Sequence, residues 1–166
     1  MNMLFILLRV LPRLGGALSA LLILVVLALI SYAVLMRYFF NAPLTWSDEM
    51  LGYLMVATAF LGLSSVLLDD RHIAIDLLTP RFSGPVQKVC NLLGYAVVFS
   101  VAAVFLYASW ETLSFNRDFG LYSVGELDAP IWVTQIPMAI GSALLALAAA
   151  TKFLERLFNI TPESRS

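Results

Sequence analysis

Four stretches of the chain contain no Asp, Glu, Lys, Arg or His: 14–36, 50–68, 89–110 and 129–151. Each is close to the ~20 apolar residues that a helix needs to cross a hydrocarbon core about 30 Å thick at about 1.5 Å per residue. The second has little length to spare. The run ALLILVVLALI at 20–30 is apolar on every side. A buried helix of a soluble bundle keeps a polar face, and a membrane strand alternates polar and apolar positions; this run does neither. With lipid all around, only a helix satisfies its own backbone hydrogen bonds. The pattern therefore predicts an all-α integral membrane protein with four transmembrane helices. The four spans leave no room for a separate soluble domain, so the expected organisation is a single membrane domain over residues 1–166.

The first window exceeds the roughly 7–15 apolar residues of a signal sequence and ends in bulky residues, Tyr32 to Tyr38, rather than a small-x-small site. It reads as a retained helix. The preceding residues 2–13, apolar with Arg9, Arg13 and Pro12, fit either a short interfacial helix or an extension of a tilted first span.

Charge fixes the expected orientation. Of the ten basic residues, Arg9, Arg13, Arg71, Arg81, Lys88, Lys152, Arg156 and Arg165 fall before the first span, between the second and third, or after the fourth. Arg37 and Arg117 fall in the other two loops. Basic residues accumulate on the cytoplasmic side, so both termini are expected in the cytoplasm. Composition agrees with the spans. Of 166 residues, 61% are hydrophobic and 13% charged, against about 25% charged in soluble domains, and mean hydropathy is +0.90. A net charge of −1 gives no basic face for nucleic acid. One cysteine, Cys90, and one histidine, His72, leave no intrachain disulfide and no usual zinc or haem ligand set.

The loops hold the candidate chemistry. In 37–49, Asn41 and Pro43 form a turn, Thr45 or Ser47 suits the cap of the second helix, and Asp48 and Glu49 suit its first turn. Tyr38 and Trp46 fit the aromatic belt. A second reading has Arg37, Asp48 and Glu49 pairing with one another or with a partner protein. The segment 69–88 mixes Ile73, Ile75, Leu77, Leu78 and Phe82 with scattered charge, which predicts a segment lying in the cytoplasmic interface between spans two and three, broken at Pro80 and Pro85. His72 there fits an interfacial hydrogen bond better than a ligand or pH switch. Residues 111–128 carry Glu111, Asp118, Glu126 and Asp128 against Arg117 alone, which fits a docking face for a soluble partner or an ordinary solvated loop. Asp128 suits the cap and Pro130 the first turn of the fourth helix.

The spans lack the intramembrane charges that mark ion and proton paths. Their polar residues, Asn91, Thr58, Thr134, Gln135 and several serines, suit joining helices, and Ala139, Gly141, Ser142 and Ala143 permit close helix contact. Pro137 removes one backbone donor and is expected to kink the fourth span. No nucleophile–base set, phosphate-binding loop or dinucleotide motif is present, so no enzymatic role is expected.

In this order and four-span frame, Arg37-Tyr38 with Phe40-Asn41, Pro43-Leu44-Thr45-Trp46, Asp48-Glu49, Phe60-Leu61-Gly62, His72-Ile73, Asp76-Leu77-Leu78, Pro130-Ile131-Trp132, Gln135 and Gly141 resemble the small membrane subunit of tripartite ATP-independent periplasmic (TRAP) transporters, the DctQ-like family. The resemblance runs from the first span to the end of the fourth. It implies a large membrane subunit carrying the sodium and substrate sites, so no cofactor is expected in this chain. It also implies a periplasmic binding protein that delivers an organic acid, and a place in the bacterial inner membrane. The small subunit would enlarge the fixed scaffold against which the large subunit's transport domain moves, with Trp46, Trp110 and Trp132 resisting vertical displacement. Arg37, Asn41, Trp46, Asp48, Glu49, His72, Asp76 and Gln135 are the candidate subunit-interface residues. A cofactor-free accessory subunit of another complex is the alternative, ahead of a small homodimeric transporter, which would need a carboxylate within a span.

Overall fold

The computed structural model describes residues 3–68 and 85–157, and it is helical nearly throughout. The helices are α1 (Met3–Phe39), α2 (Ser47–Leu68), α3 (Pro85–Asp118) and α4 (Ile131–Leu157). All four are long and apolar enough to cross a membrane. Among the described residues the β structure is one isolated antiparallel bridge, Tyr122 to Pro130. The interfacial segment expected between spans two and three lies outside the described residues.

The helices outrun the charge-free windows. Helix α1 continues through Pro12, so residues 3–13 lengthen the first span rather than forming a separate piece. Pro12 is fully buried, and its carbonyl accepts a bond from the Ser64 hydroxyl of α2 at 3.3 Å, so packing offsets the lost backbone donor. Helix α3 runs on through 111–118, which the charge pattern assigns to a loop. No Gly or Pro lies between Glu111 and Gly120, where φ of +59° ends the helix. The Leu121 N–H returns to the Asn116 carbonyl at 3.0 Å and the Gly120 N–H to the Arg117 carbonyl at 3.2 Å, the paired bonds of a Schellman stop. Helix α4 begins at Ile131 rather than 129 and runs to Leu157, so Lys152 and Glu155 lie within it instead of in a solvated tail. Both are buried, and both have interactions that offset some of the cost of placing charge there.

Helix α4 is the hub. It packs along α3 and α2 and touches α1, while α1 packs chiefly on α2. The α1–α2 and α3–α4 loops meet at one end, here the two-loop end; the start of α1 and the end of α4 lie at the other. Small residues set the helix spacing. A Cβ on Gly15 would stand 2.9 Å from Leu144 Cδ1 and 3.0 Å from the Leu61 carbonyl oxygen, where three helices meet. A Cβ on Gly141 would stand 2.5 Å from the backbone carbon of Phe60. The Ser19 hydroxyl bonds the Thr58 carbonyl at 2.7 Å, joining α1 to α2. Such small and hydroxylated contacts hold helices together where lipid removes the hydrophobic drive.

The apolar core joins Leu67 and Leu68 of α2, Tyr95 and Ala102 of α3, and Leu145, Ala148 and Ala149 of α4. Much of the remaining oil faces outward. Leu14, Leu18, Leu21, Leu24 and Leu27 of α1 are all exposed, as are Val89, Leu93, Val97 and Val104 of α3. A water-soluble monomer rarely carries apolar faces this extensive. The chain is a multi-pass membrane protein.

Candidate functional site

The polar chemistry that the described residues bring together sits at the two-loop end. Helix α1 stops at Phe39, Asn41 takes the left-handed conformation with φ of 50°, and the Ala42 N–H returns to the Met36 carbonyl at 3.1 Å. An asparagine tolerates this conformation better than a branched residue does. Arg37 lies exposed in the last turn of α1, where the helix dipole favours a cation.

Neither expected cap of α2 accepts a bond there. The Ser47 hydroxyl donates to the Leu44 carbonyl at 2.7 Å, closing the turn before the helix, and the Met50 N–H bonds the Trp46 carbonyl at 3.2 Å. The Thr45 hydroxyl donates to Glu126 across the loops. Asp48 and Glu49, adjacent in sequence, part company: Asp48 is exposed, whereas Glu49 is half-buried and turned toward the α3–α4 loop. Its Oε1 accepts the Tyr53 hydroxyl at 2.7 Å, one turn along α2, and its Oε2 accepts the Leu127 N–H at 3.3 Å. The Ser123 hydroxyl lies close to the same carboxylate but outside good hydrogen-bond geometry. Gly125 passes so near that a Cβ there would overlap Glu49 Oε2.

The loop itself is folded. The Ser123 N–H bonds the Ala129 carbonyl at 2.9 Å and the Ile131 N–H bonds the Leu121 carbonyl at 3.1 Å, pinching 121–131 into a narrow hairpin. Asp128 takes φ of 43° within it and is exposed, so it turns the chain instead of capping α4. The Val133 N–H bonds the Pro130 carbonyl at 3.0 Å, which starts α4 just after the proline.

Gln135 is engaged within the chain. Its Oε1 accepts from Asn116 Nδ2 at 3.0 Å, tying the end of α3 to the start of α4, and Asn116 is buried. Arg117 reinforces the join by lying 6.0 Å from the Trp132 ring centroid. Trp46 and Trp132 are half-buried and Trp110 is exposed. His72 and Asp76 lie outside the described residues. The structure thus gathers Trp46, Asp48 and Glu49 at one end with Arg37 and Asn41, and uses Glu49 and Gln135 for internal bonds. Sequence reasoning missed Ser123, Gly125 and the pairing of Thr45 with Glu126, because the register of the two loops depends on contacts 78 and 81 residues apart.

Among the described residues no group of three or more His, Cys, Asp or Glu is placed to hold a metal. What the arrangement can do is hold two loops and two helix ends in one geometry.

Comparison with known proteins gives that geometry its context. Residues 26–159 match the family model for tripartite ATP-independent periplasmic transporters, DctQ component. Half of the chain, 83 residues, is 31% identical to the sialic acid TRAP transporter permease protein SiaT of Haemophilus influenzae (strain 86-028NP). That stretch is 13% of the length of SiaT, so the chain spans a small part of this relative. The family match takes in the end of α1, all of α2, α3 and α4, and the whole two-loop end, and on that coverage the chain belongs to the DctQ component family of TRAP transporters.

Proposed function

We propose that this chain is the small permease subunit of a TRAP transporter, a fixed membrane scaffold for a larger subunit that binds sodium and substrate. The observation that carries the reading is a bundle whose helices are locked to one another by close backbone contacts and interhelical hydrogen bonds while its outer faces remain largely apolar. A body of this kind resists deformation and offers wide surface to lipid and to a membrane partner. The relation to SiaT supports it: a stretch similar to half of this chain forms a small fraction of a permease whose remainder would correspond to the larger partner.

The substrate in this reading is an organic acid, delivered by a periplasmic binding protein and taken up with sodium. The sialic acid in the relative's name falls within that class. The chain resides in the bacterial inner membrane with both termini in the cytoplasm, which places the two-loop end in the periplasm. Exposed Arg37, Asn41 and Asp48, with Trp46 beside them, form the candidate contact with the large subunit at the membrane edge.

Assembly tests the reading. In membranes that co-express both subunits, the large subunit is expected to co-purify with this chain, and Asp48→Lys is expected to reduce its recovery several-fold. Recovery of this chain alone, with no large TRAP subunit in the complex, would contradict the proposal.

A further inference from the structure

We infer that Glu49 is a positioning residue whose carboxylate latches the α3–α4 loop to the head of α2 and thereby fixes the two-loop end of α3.

The need for a latch follows from the packing. Helix α3 packs along α4, and α2 meets it through side chains, as where the Phe60 and Phe105 rings sit edge to face at 5.6 Å. At the two-loop end, the bonds that hold α3 directly run to α4: Asn116 to Gln135 and Arg117 to Trp132. A long helix held along one neighbour can pivot about it. The hairpin that follows α3 removes that freedom by reaching across to α2.

The clasp is specific in its parts. Glu49 Oε2 accepts the Leu127 N–H, and Tyr53 holds the other oxygen at 2.7 Å, so the carboxylate is fixed from its own helix before it meets the loop. A hydrogen bond to a charged acceptor is stronger than a neutral one. Gly125 lets the loop backbone lie against the carboxylate, a place that any Cβ would occupy. Thr45 and Glu126 form a second strand of the clasp, again between the entry to α2 and the loop. The exposed neighbour Asp48 takes no part, so two adjacent acidic residues divide between outer surface and latch.

The consequence rests on the scaffold reading. A scaffold must hold its shape while a partner moves against it, and α3 packs closely along α4 alone. Glu49 then acts through the loop on α3 and touches no substrate.

The test uses the complex of this chain with its large subunit. Hydrogen–deuterium exchange is compared among the parent chain, Glu49→Gln, Glu49→Ala and Gly125→Ala. Glu49→Ala is expected to speed exchange in peptides covering 121–127 about tenfold, by loss of a charge-assisted bond. Glu49→Gln, whose amide oxygen still accepts, is expected to stay within about threefold of the parent. Gly125→Ala is expected to behave as Glu49→Ala, and to add nothing in the Glu49→Ala background. Spin labels at Met55→Cys and Thr112→Cys, with Cys90→Ser, give the second readout: the distance distribution between α2 and α3 is expected to broaden in Glu49→Ala and not in Glu49→Gln. Unchanged exchange and an unchanged distribution in Glu49→Ala would overturn the latch, as would additive effects of the Glu49 and Gly125 substitutions. Both readouts are independent of transport. A loosened loop with an undiminished uptake rate would support the latch and count against the scaffold reading.

Discussion

Gly141 and Gly52 show at the residue scale how unevenly the chain tolerates change. A Cβ on Gly141 meets the backbone of Phe60 at 2.5 to 2.6 Å, and backbone cannot swing aside as a side-chain tip can. Gly141→Ala is expected to force α2 and α4 apart at a cost of about 1–3 kcal/mol, read as a lower melting temperature of the purified protein. Nothing lies within 4 Å of a Cβ on Gly52, which is inside α2, so Gly52→Ala is expected to raise stability by about 0.5–1 kcal/mol through the backbone entropy it removes from the unfolded chain. Composition marks both as glycine, and only Gly141 stands out in the sequence, beside Ala139, Ser142 and Ala143. Other residues were legible as polar and in place but not in partnership. Gln135 reads from the sequence as an amide suited to joining helices, and the family resemblance makes it a candidate subunit contact; that Asn116 is its partner depends on how α3 and α4 face each other. Ser47 reads as a cap because caps are commonly serine, yet its hydroxyl closes the preceding turn.

At the scale of elements, the pattern of charge located all four helices and misjudged their ends. A span written only as a charge-free window stops at the first ionisable residue, whereas a helix stops where its backbone bonds stop. Thus α3 runs past Glu111 to the glycine at 120, and α4 carries Lys152 and Glu155 inside its last turns. The join between these two helices is local enough to test. Because Asn116 is buried, removing Gln135 leaves the Asn116 amide unsatisfied. A double-mutant cycle of Asn116→Ala and Gln135→Ala is expected to give a coupling of about 1 kcal/mol in thermal unfolding. Independent effects of the two substitutions would mean that the pair does not hold the helices. The Phe115–Phe119 pair, centroids 4.4 Å apart, joins the last turn of α3 to the residue that follows it and lies exposed with Tyr122, as suits aromatic rings at the end of a membrane span.

Across the whole molecule, the class was legible from the absence of charge in four windows, since that reflects the cost of placing charge in lipid and needs no tertiary information. The two-loop end was legible as a set of candidates, Arg37 to Glu49, and not as a structure, because its form depends on which loop residue meets Glu49. Orientation rests on the bias of basic residues. A cysteine placed at Val124, fully exposed in the α3–α4 loop, in a Cys90→Ser chain is expected to react with a membrane-impermeant thiol reagent from the periplasmic side. Protection of that cysteine in spheroplasts and labelling only after lysis would reverse the orientation.

In the proposed function this chain is the immobile part of a transporter whose binding sites lie in another subunit. That role is tested most directly by reconstituting the large subunit in vesicles with and without this chain, and measuring uptake of its organic acid driven by a sodium gradient in the presence of the binding protein. Uptake is expected with both subunits, and a rate lower by roughly tenfold or more is expected when this chain is omitted. Equal uptake with and without it would show that this chain is no part of the transport machinery.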